Sequence, residues 1–235
     1  MNLLKVRSVM FSRLLIFLVA MVLPVAAYAA PAKDWSHEVV LTPEGAHQLG
    51  NPAAKTRLVE YVSYTCSHCA HFVDDASAPL KSGWVANGGL VIEVRNLVRD
   101  RYDFTAALLA RCGGPARFIG NHEALFANYD AWIEKVRAHA EQPPAIPQDA
   151  NPAVIMTDIA EKTGLITLMQ KRGVSPAQSR TCLADRKAAD AILAMTKYGV
   201  QQDGITGTPG FILNGKKAAA YDWATLRPML PAPAK

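Results

Sequence analysis

The sequence predicts an α/β fold interrupted by an inserted all-α helical domain, and three features carry that expectation. The apolar run 57–64 leads straight into Thr65-Cys66-Ser67-His68-Cys69, after which Phe72, Val73, Ala76, Leu80 and Trp84 recur at helical spacing. Gly88-Gly89 then breaks the chain before a second buried-strand pattern, 90–98. Strand, helix and strand make a βαβ unit with a parallel, right-handed crossover. Finally, residues 103–200 are rich in Ala, Leu and Met and almost free of β-branched runs, so they read as helices inserted ahead of a last strand and turn at 211–216.

From the N-terminus, residues 1–29 have a basic start (Lys5, Arg7, Arg13), an apolar core from Leu14 to Leu23 and a small-residue site at Ala27-Tyr28-Ala29. That pattern predicts a secretory signal peptide cleaved after Ala29. Its core is about half of the roughly 20 residues that span a bilayer, and Pro24 closes it. Three of the 25 basic residues and none of the 20 acidic ones lie there, so the net charge falls from +5 to +2 on cleavage. Without a dense Lys/Arg stripe, nucleic-acid binding is not expected. Residues 38–42 suggest an edge strand, and the Pro/Gly-punctuated stretch after it a loop.

The two cysteines three apart fall in the first turn of the following helix. Unpaired N–H groups and the positive end of the helix dipole favour a thiolate there, which lowers the first thiol's pKa into a range of roughly 3.5 to 7.5. Cys66 is therefore the expected exposed nucleophile, and Cys69, one turn further in, the shielded resolving thiol. His68, between them, is the expected hydrogen-bond donor to the thiolate, whereas His71, His122 and His139 read as ordinary surface or helix histidines.

In the insertion, helices are expected at 104–112, 116–138 with a break near Asn121, 153–162, 165–171, 176–183 and 186–198, the last capped by Asp185. Gln142-Pro143-Pro144-Ala145-Ile146-Pro147 cannot continue a helix and reads as an exposed connector. A short helix around 221–230 ends the chain. The mature length suffices for two small cores.

These residues resemble the DsbA-like thiol:disulfide oxidoreductases of the bacterial periplasm, members of the thioredoxin-fold superfamily. Besides the dithiol, Glu60 matches the buried acid of thioredoxin-like proteins, and Gly204-Ile205-Thr206-Gly207-Thr208-Pro209-Gly210-Phe211 matches their cis-proline loop. The resemblance implies a thioredoxin fold built from 30–102 and 201–235 around the helical insertion 103–200. It also implies that Glu60 accepts the proton of Cys69, and that Thr208 and Pro209 bind an extended substrate segment. Expected partners are reduced or unfolded exported proteins and a quinone-linked, DsbB-like membrane protein that reoxidises the dithiol. The chain is expected to be a periplasmic monomer without a cofactor.

Three positions depart from the best-known DsbA pattern. Ser67 stands where proline is usual. Thr208 replaces valine and also occurs in isomerases and reductases of the superfamily, which keeps those activities open beside an oxidase. Gly210 replaces a bulkier residue and is expected to leave room for substrate. A secreted metal-binding module using Cys66, Cys69, His68 or His71 is a further alternative, but no second CxxC or HxxxH is present to close such a site. Cys112 and Cys182 have no CxxC partner. They are expected to form a structural disulfide across the insertion, the other reading being buried free thiols.

Overall fold

The computed structural model describes residues 33–147 and 149–233. The expected signal peptide lies outside them, and no helix among the described residues is long and apolar enough to cross a membrane. The chain builds a six-stranded sheet in the order β1-β2-β4-β3-β5-β6. Its strands are β1 (Val39–Leu41), β2 (His47–Gly50), β3 (Thr56–Val62), β4 (Leu90–Asn96), β5 (Gly210–Leu213) and β6 (Lys216–Lys217). Only β3 and β4 are parallel, with Glu60 opposite Val94, and the other neighbours run antiparallel.

Helix α1 (Ser67–Leu80) connects β3 to β4, leaving through a π-helical turn at Lys81–Val85. Between β4 and β5 lie α2 (Arg101–Ala110), α3 (Pro115–Ala127), α4 (Tyr129–Ala140), α5 (Pro152–Lys162), α6 (Leu165–Lys171), α7 (Pro176–Leu183) and α8 (Arg186–Gln201). Asp185 caps α8 by accepting from Ala188 N–H. The chain closes on α9 (Trp223–Leu226) and a 3-10 turn, Arg227–Met229, a shorter ending than the expected helix over 221–230.

Three expectations need correction. The stretch read as a loop contains β2, because Gly45 at φ +84° reverses the chain and returns it antiparallel to β1. The break in the long helix falls at Asn128 rather than Asn121. Asn121 is buried inside α3, where its Nδ2 donates to the carbonyls of Ala110 (3.2 Å) and Cys112 (2.9 Å), so its polarity serves a contact rather than a helix end. Thirdly, the strand and helical segments share one core instead of two. A single apolar cluster runs from Leu58, Phe72 and Leu90 to Leu109, Leu125, Leu165 and Ile192. Helix α2 explains the continuity: Tyr102, Asp103 and every residue from Thr105 to Ala110 are buried, so it needs neighbours on all sides.

Alternation along β3 decides where Glu60 points. Leu58 and Val62 belong to the main cluster with Phe72 and Leu80 of α1, whereas Val59 and Tyr61 face a small second cluster with Leu97, Ile205 and Ile212. Glu60 shares the parity of Leu58 and Val62 and lies under α1.

Candidate active site

The chain turns from β3 into α1 over Ser63-Tyr64-Thr65, with Cys66 N–H donating to Ser63 O at 3.1 Å. Cys66 is the extended N-cap residue of α1, at φ −94° and ψ 118°, so the first free N–H groups of the helix surround its side chain. The two thiols are unjoined and differ sharply. Hydrogen bonding from the Cys69 thiol, then Thr208, the Cys69 N–H and the Arg99 guanidinium, outweigh burial and draw the Cys66 pKa down from 9.0 to about 4. Burial first, and then the hydrogen bond and charge of Cys66, push Cys69 well above 9.0.

Cys66 is not the freely exposed residue expected from its place at a helix start, since only 5 % of it is accessible. The loop containing the cis Thr208–Pro209 bond covers it, and the Cys66 thiol donates to the Thr208 carbonyl at 3.2 Å. The Thr208 hydroxyl is also buried beside the sulfur and favours its thiolate.

Glu60 is buried, and desolvation raises its pKa from 4.5 to about 8. It stays protonated near neutrality and, when ionised, lies close enough to Cys69 for its charge to raise that thiol's pKa. Its Oε1 has no protein partner among the described residues and borders a cavity of 30 Å³, room for a water molecule, whose wall also includes Phe72, Lys81 and His122.

Other assignments change. His68 is exposed, and its ring makes no hydrogen bond to either sulfur among the described residues. His122 is a helix histidine, in α3, but a buried one: it lies 3.1 Å from the Tyr64 hydroxyl, and desolvation drops its pKa to about 3. The Gly210 position is not open for substrate, because a Cβ there would stand 2.6 Å from Ile205 Cγ2. Cys112 and Cys182 meet at the C-terminal side of α2 and within α7, joined as a disulfide with Cα atoms 5.7 Å apart. Among the described residues no group of three or more His, Cys, Asp or Glu is placed to hold a metal ion.

Several residues around Cys66 escape a reading of the sequence. Arg99 Nε donates to Ser63 Oγ at 2.9 Å and its Nη2 to Thr65 Oγ1 at 3.2 Å. Asp103 is fully buried and accepts from the N–H groups of Tyr64 (2.7 Å) and Arg99 (3.0 Å); desolvation lifts its pKa to about 7. The Tyr129 hydroxyl donates to Thr65 O at 3.1 Å. The charged run Arg99-Asp100-Arg101 directly after a buried strand was the available signal for the first of these; Tyr129 had none.

Comparison with known proteins agrees with this arrangement. A thioredoxin family model matches residues 42–232. The chain is similar to the protein-disulfide isomerase of Novosphingobium aromaticivorans, whose crystal structure aligns at 39 % identity and a TM-score of 0.72 over 78 % of this chain and 94 % of that one. Wolbachia pipientis alpha-DsbA1 shares the fold at 22 % identity and a TM-score of 0.57, over 81 % of this chain and 91 % of its own. A Rickettsia bellii protein, provisionally named a protein-disulfide oxidoreductase, is 27 % identical over 174 residues, 74 % of this chain. The match spans only 58 % of the length of that relative. The chain therefore belongs to the thioredoxin family, and its fold is the DsbA-like version of it, with helices set between β4 and β5.

Proposed function

We propose that this chain is an exported thiol:disulfide oxidoreductase that introduces disulfides into exported proteins through Cys66-Ser67-His68-Cys69. One observation carries the reading. At the head of α1, beneath the Thr208–Pro209 loop, the two thiols of a CxxC are driven apart, one toward the thiolate and the other toward the neutral thiol. A reduced form that stabilises a thiolate holds electrons well, so the oxidised form is a good oxidant.

In the oxidised protein a client thiolate attacks the Cys66 sulfur, the Cys66–Cys69 bond breaks, and the Cys69 sulfur leaves with the electron pair. Protonated Glu60 supplies the proton that this buried sulfur needs. A second client thiolate then attacks the client sulfur of the mixed disulfide, and Cys66 departs as a stable thiolate. The client loses two electrons and two protons: one proton replaces that given by Glu60, the other goes to solvent. Reoxidation runs the Cys69 step backwards: Glu60 first releases its proton to solvent and then, ionised, accepts that of the Cys69 thiol as its sulfur attacks. Thr208 offers its backbone to an extended client segment as an added strand.

The predicted leader supports a periplasmic location, and the Cys112–Cys182 bridge suits an oxidising compartment. On this reading 30–102 and 201–235 form the catalytic part and 103–200 the insertion. The protein works as a monomer and returns its electrons to a quinone-linked, DsbB-like membrane partner. The 39 % identical relative named an isomerase favours isomerisation as the second reading. Three assays on the purified protein separate these: oxidation of a dithiol peptide, reduction of insulin and repair of a mispaired disulfide. Oxidation is expected to be fastest. Faster repair favours the isomerase, and failure to exchange disulfides in any assay overturns the proposal.

A further inference from the structure

The turn presenting Cys66 is held from the segment between β4 and α2. Ser63 and Thr65 each accept a hydrogen bond from Arg99, the Thr65 hydroxyl donates to Asp100 Oδ2 at 3.0 Å, and Asp103 accepts from the N–H groups of both Tyr64 and Arg99. The side-chain partners of Arg99 are hydroxyls, and among the described residues no carboxylate lies within ion-pairing distance of its guanidinium. Hydroxyls fix its position without neutralising its charge, which is left to act on the nearby sulfur.

We propose that Arg99, clamped by Ser63 and Thr65, is a positioning residue that supplies the permanent positive charge stabilising the Cys66 thiolate and thereby sets the oxidising strength of the dithiol, the part expected of His68. Arg99 is among the groups that lower the Cys66 pKa, while His68 is exposed and makes no hydrogen bond to the sulfur among the described residues. A guanidinium stays charged throughout the accessible pH range. Thiolate stabilisation by Arg99 therefore persists through neutral pH. The other titratable groups around the Cys66 turn are Cys69 and Tyr129, Asp100 and Asp103 bonded to Thr65 and Tyr64, Glu60 beside Cys69, and His68 on the first turn of α1.

This inference deepens the oxidoreductase reading, but its primary test does not depend on it. The thiolate is titrated by ultraviolet absorbance in wild type, Arg99→Gln, Arg99→Lys and His68→Gln, and the equilibrium with glutathione is measured in parallel. Arg99→Gln is expected to raise the Cys66 pKa by about one unit and weaken oxidation of glutathione roughly tenfold at pH 7, since one pKa unit is a tenfold change in equilibrium constant. Arg99→Lys keeps the charge but loses the two-pronged hold and should fall between, while His68→Gln should move both readings least. Unchanged titration in Arg99→Gln, or a larger shift in His68→Gln, overturns the inference. Should Arg99→Gln not fold, Ser63→Ala with Thr65→Val must raise the pKa in the same direction, and an unchanged value there overturns it equally. A wild-type Cys66 that titrates low yet exchanges with no disulfide would sink the proposed function while leaving the role of Arg99 standing.

Discussion

Cys66 and Cys69 stand three residues apart at the head of α1, unjoined, while Cys112 and Cys182 are separated by 70 residues of chain and meet as a disulfide between α2 and α7. The first pair sits among groups that treat its two sulfurs oppositely: the Cys69 thiol and N–H, Thr208 and Arg99 favour the thiolate of one, while burial and the Cys66 sulfur oppose it at the other. The second pair lies against the shared apolar core, with Cys112 buried. One residue type thus serves two ends. Near charge and free donors a cysteine is kept reactive, whereas in a packed interface closing a long loop it becomes a tie.

That contrast is broken most directly at the nucleophile. Cys66→Ser should reduce disulfide exchange to background, because no thiolate remains to be attacked or to leave. Cys69→Ser should instead trap clients as stable mixed disulfides with Cys66, visible by mass spectrometry under non-reducing conditions. Equal behaviour of the two variants would deny that the sulfurs have different roles.

Glu60 gives the next largest effect. Its folded pKa of about 8 exceeds the unfolded value of 4.5, so the folded protein holds a proton that the unfolded chain releases. The associated stability is full below pH 4.5 and is lost as pH rises to about 8. The lift corresponds to at most about 5 kcal/mol. Glu60→Gln should abolish that slope, making the variant the more stable protein at pH 8, and should slow dithiol turnover without unfolding the chain. Denaturant unfolding across pH reads the first effect. An exchange rate identical to wild type from about pH 5 to 9 would remove Glu60 from the mechanism.

The insertion should answer in stability alone. Replacing Cys112 and Cys182 by Ala releases a 70-residue loop in the unfolded chain, worth about 4 kcal/mol by chain entropy. The double variant should melt earlier and keep both the Cys66 pKa and the exchange rate. Slowed exchange in the folded variant would show that the bridge also supports the dithiol.

How far the molecule can be read from its sequence follows the same division. The β3–dithiol–α1 unit was legible because a strand, two cysteines and a helical pattern are contiguous, and the parallel pairing of β3 with β4 follows from the crossover. Most insertion helices were legible from their caps and periodicity. Strand β2 was hidden because it has only four residues beside a Gly-rich turn. Asn121 misled because an asparagine inside a helical pattern suggests a break, and only the fold shows its amide reaching the carbonyls after α2. Arg99 and Asp103 were illegible for a deeper reason. Their partners lie 34 to 39 residues away, and local pattern carries no record of such pairings. His68 drew attention by adjacency, but a residue one position along a helix start can point away from its neighbour's side chain.

The smallest expected effect lies beside the bridge itself. Ser175 caps α7, the helix carrying Cys182, in a reciprocal box: its hydroxyl accepts from Gln178 N–H at 3.2 Å, and Gln178 Oε1 accepts from Ser175 N–H at 2.9 Å. Ser175 is exposed, so Ser175→Ala removes the cap without opening the core, and about 1 kcal/mol of stability should go with it. The same loss is expected in the Cys112→Ala, Cys182→Ala background if cap and bridge act independently. A larger loss there would mean that the bridge holds α7 in place when its cap fails, and that the two devices secure one element. In neither background should the Cys66 titration move, since α7 supplies none of the groups that act on that sulfur. A shifted thiolate pKa in Ser175→Ala would link the two cysteine regions and break the separation between them.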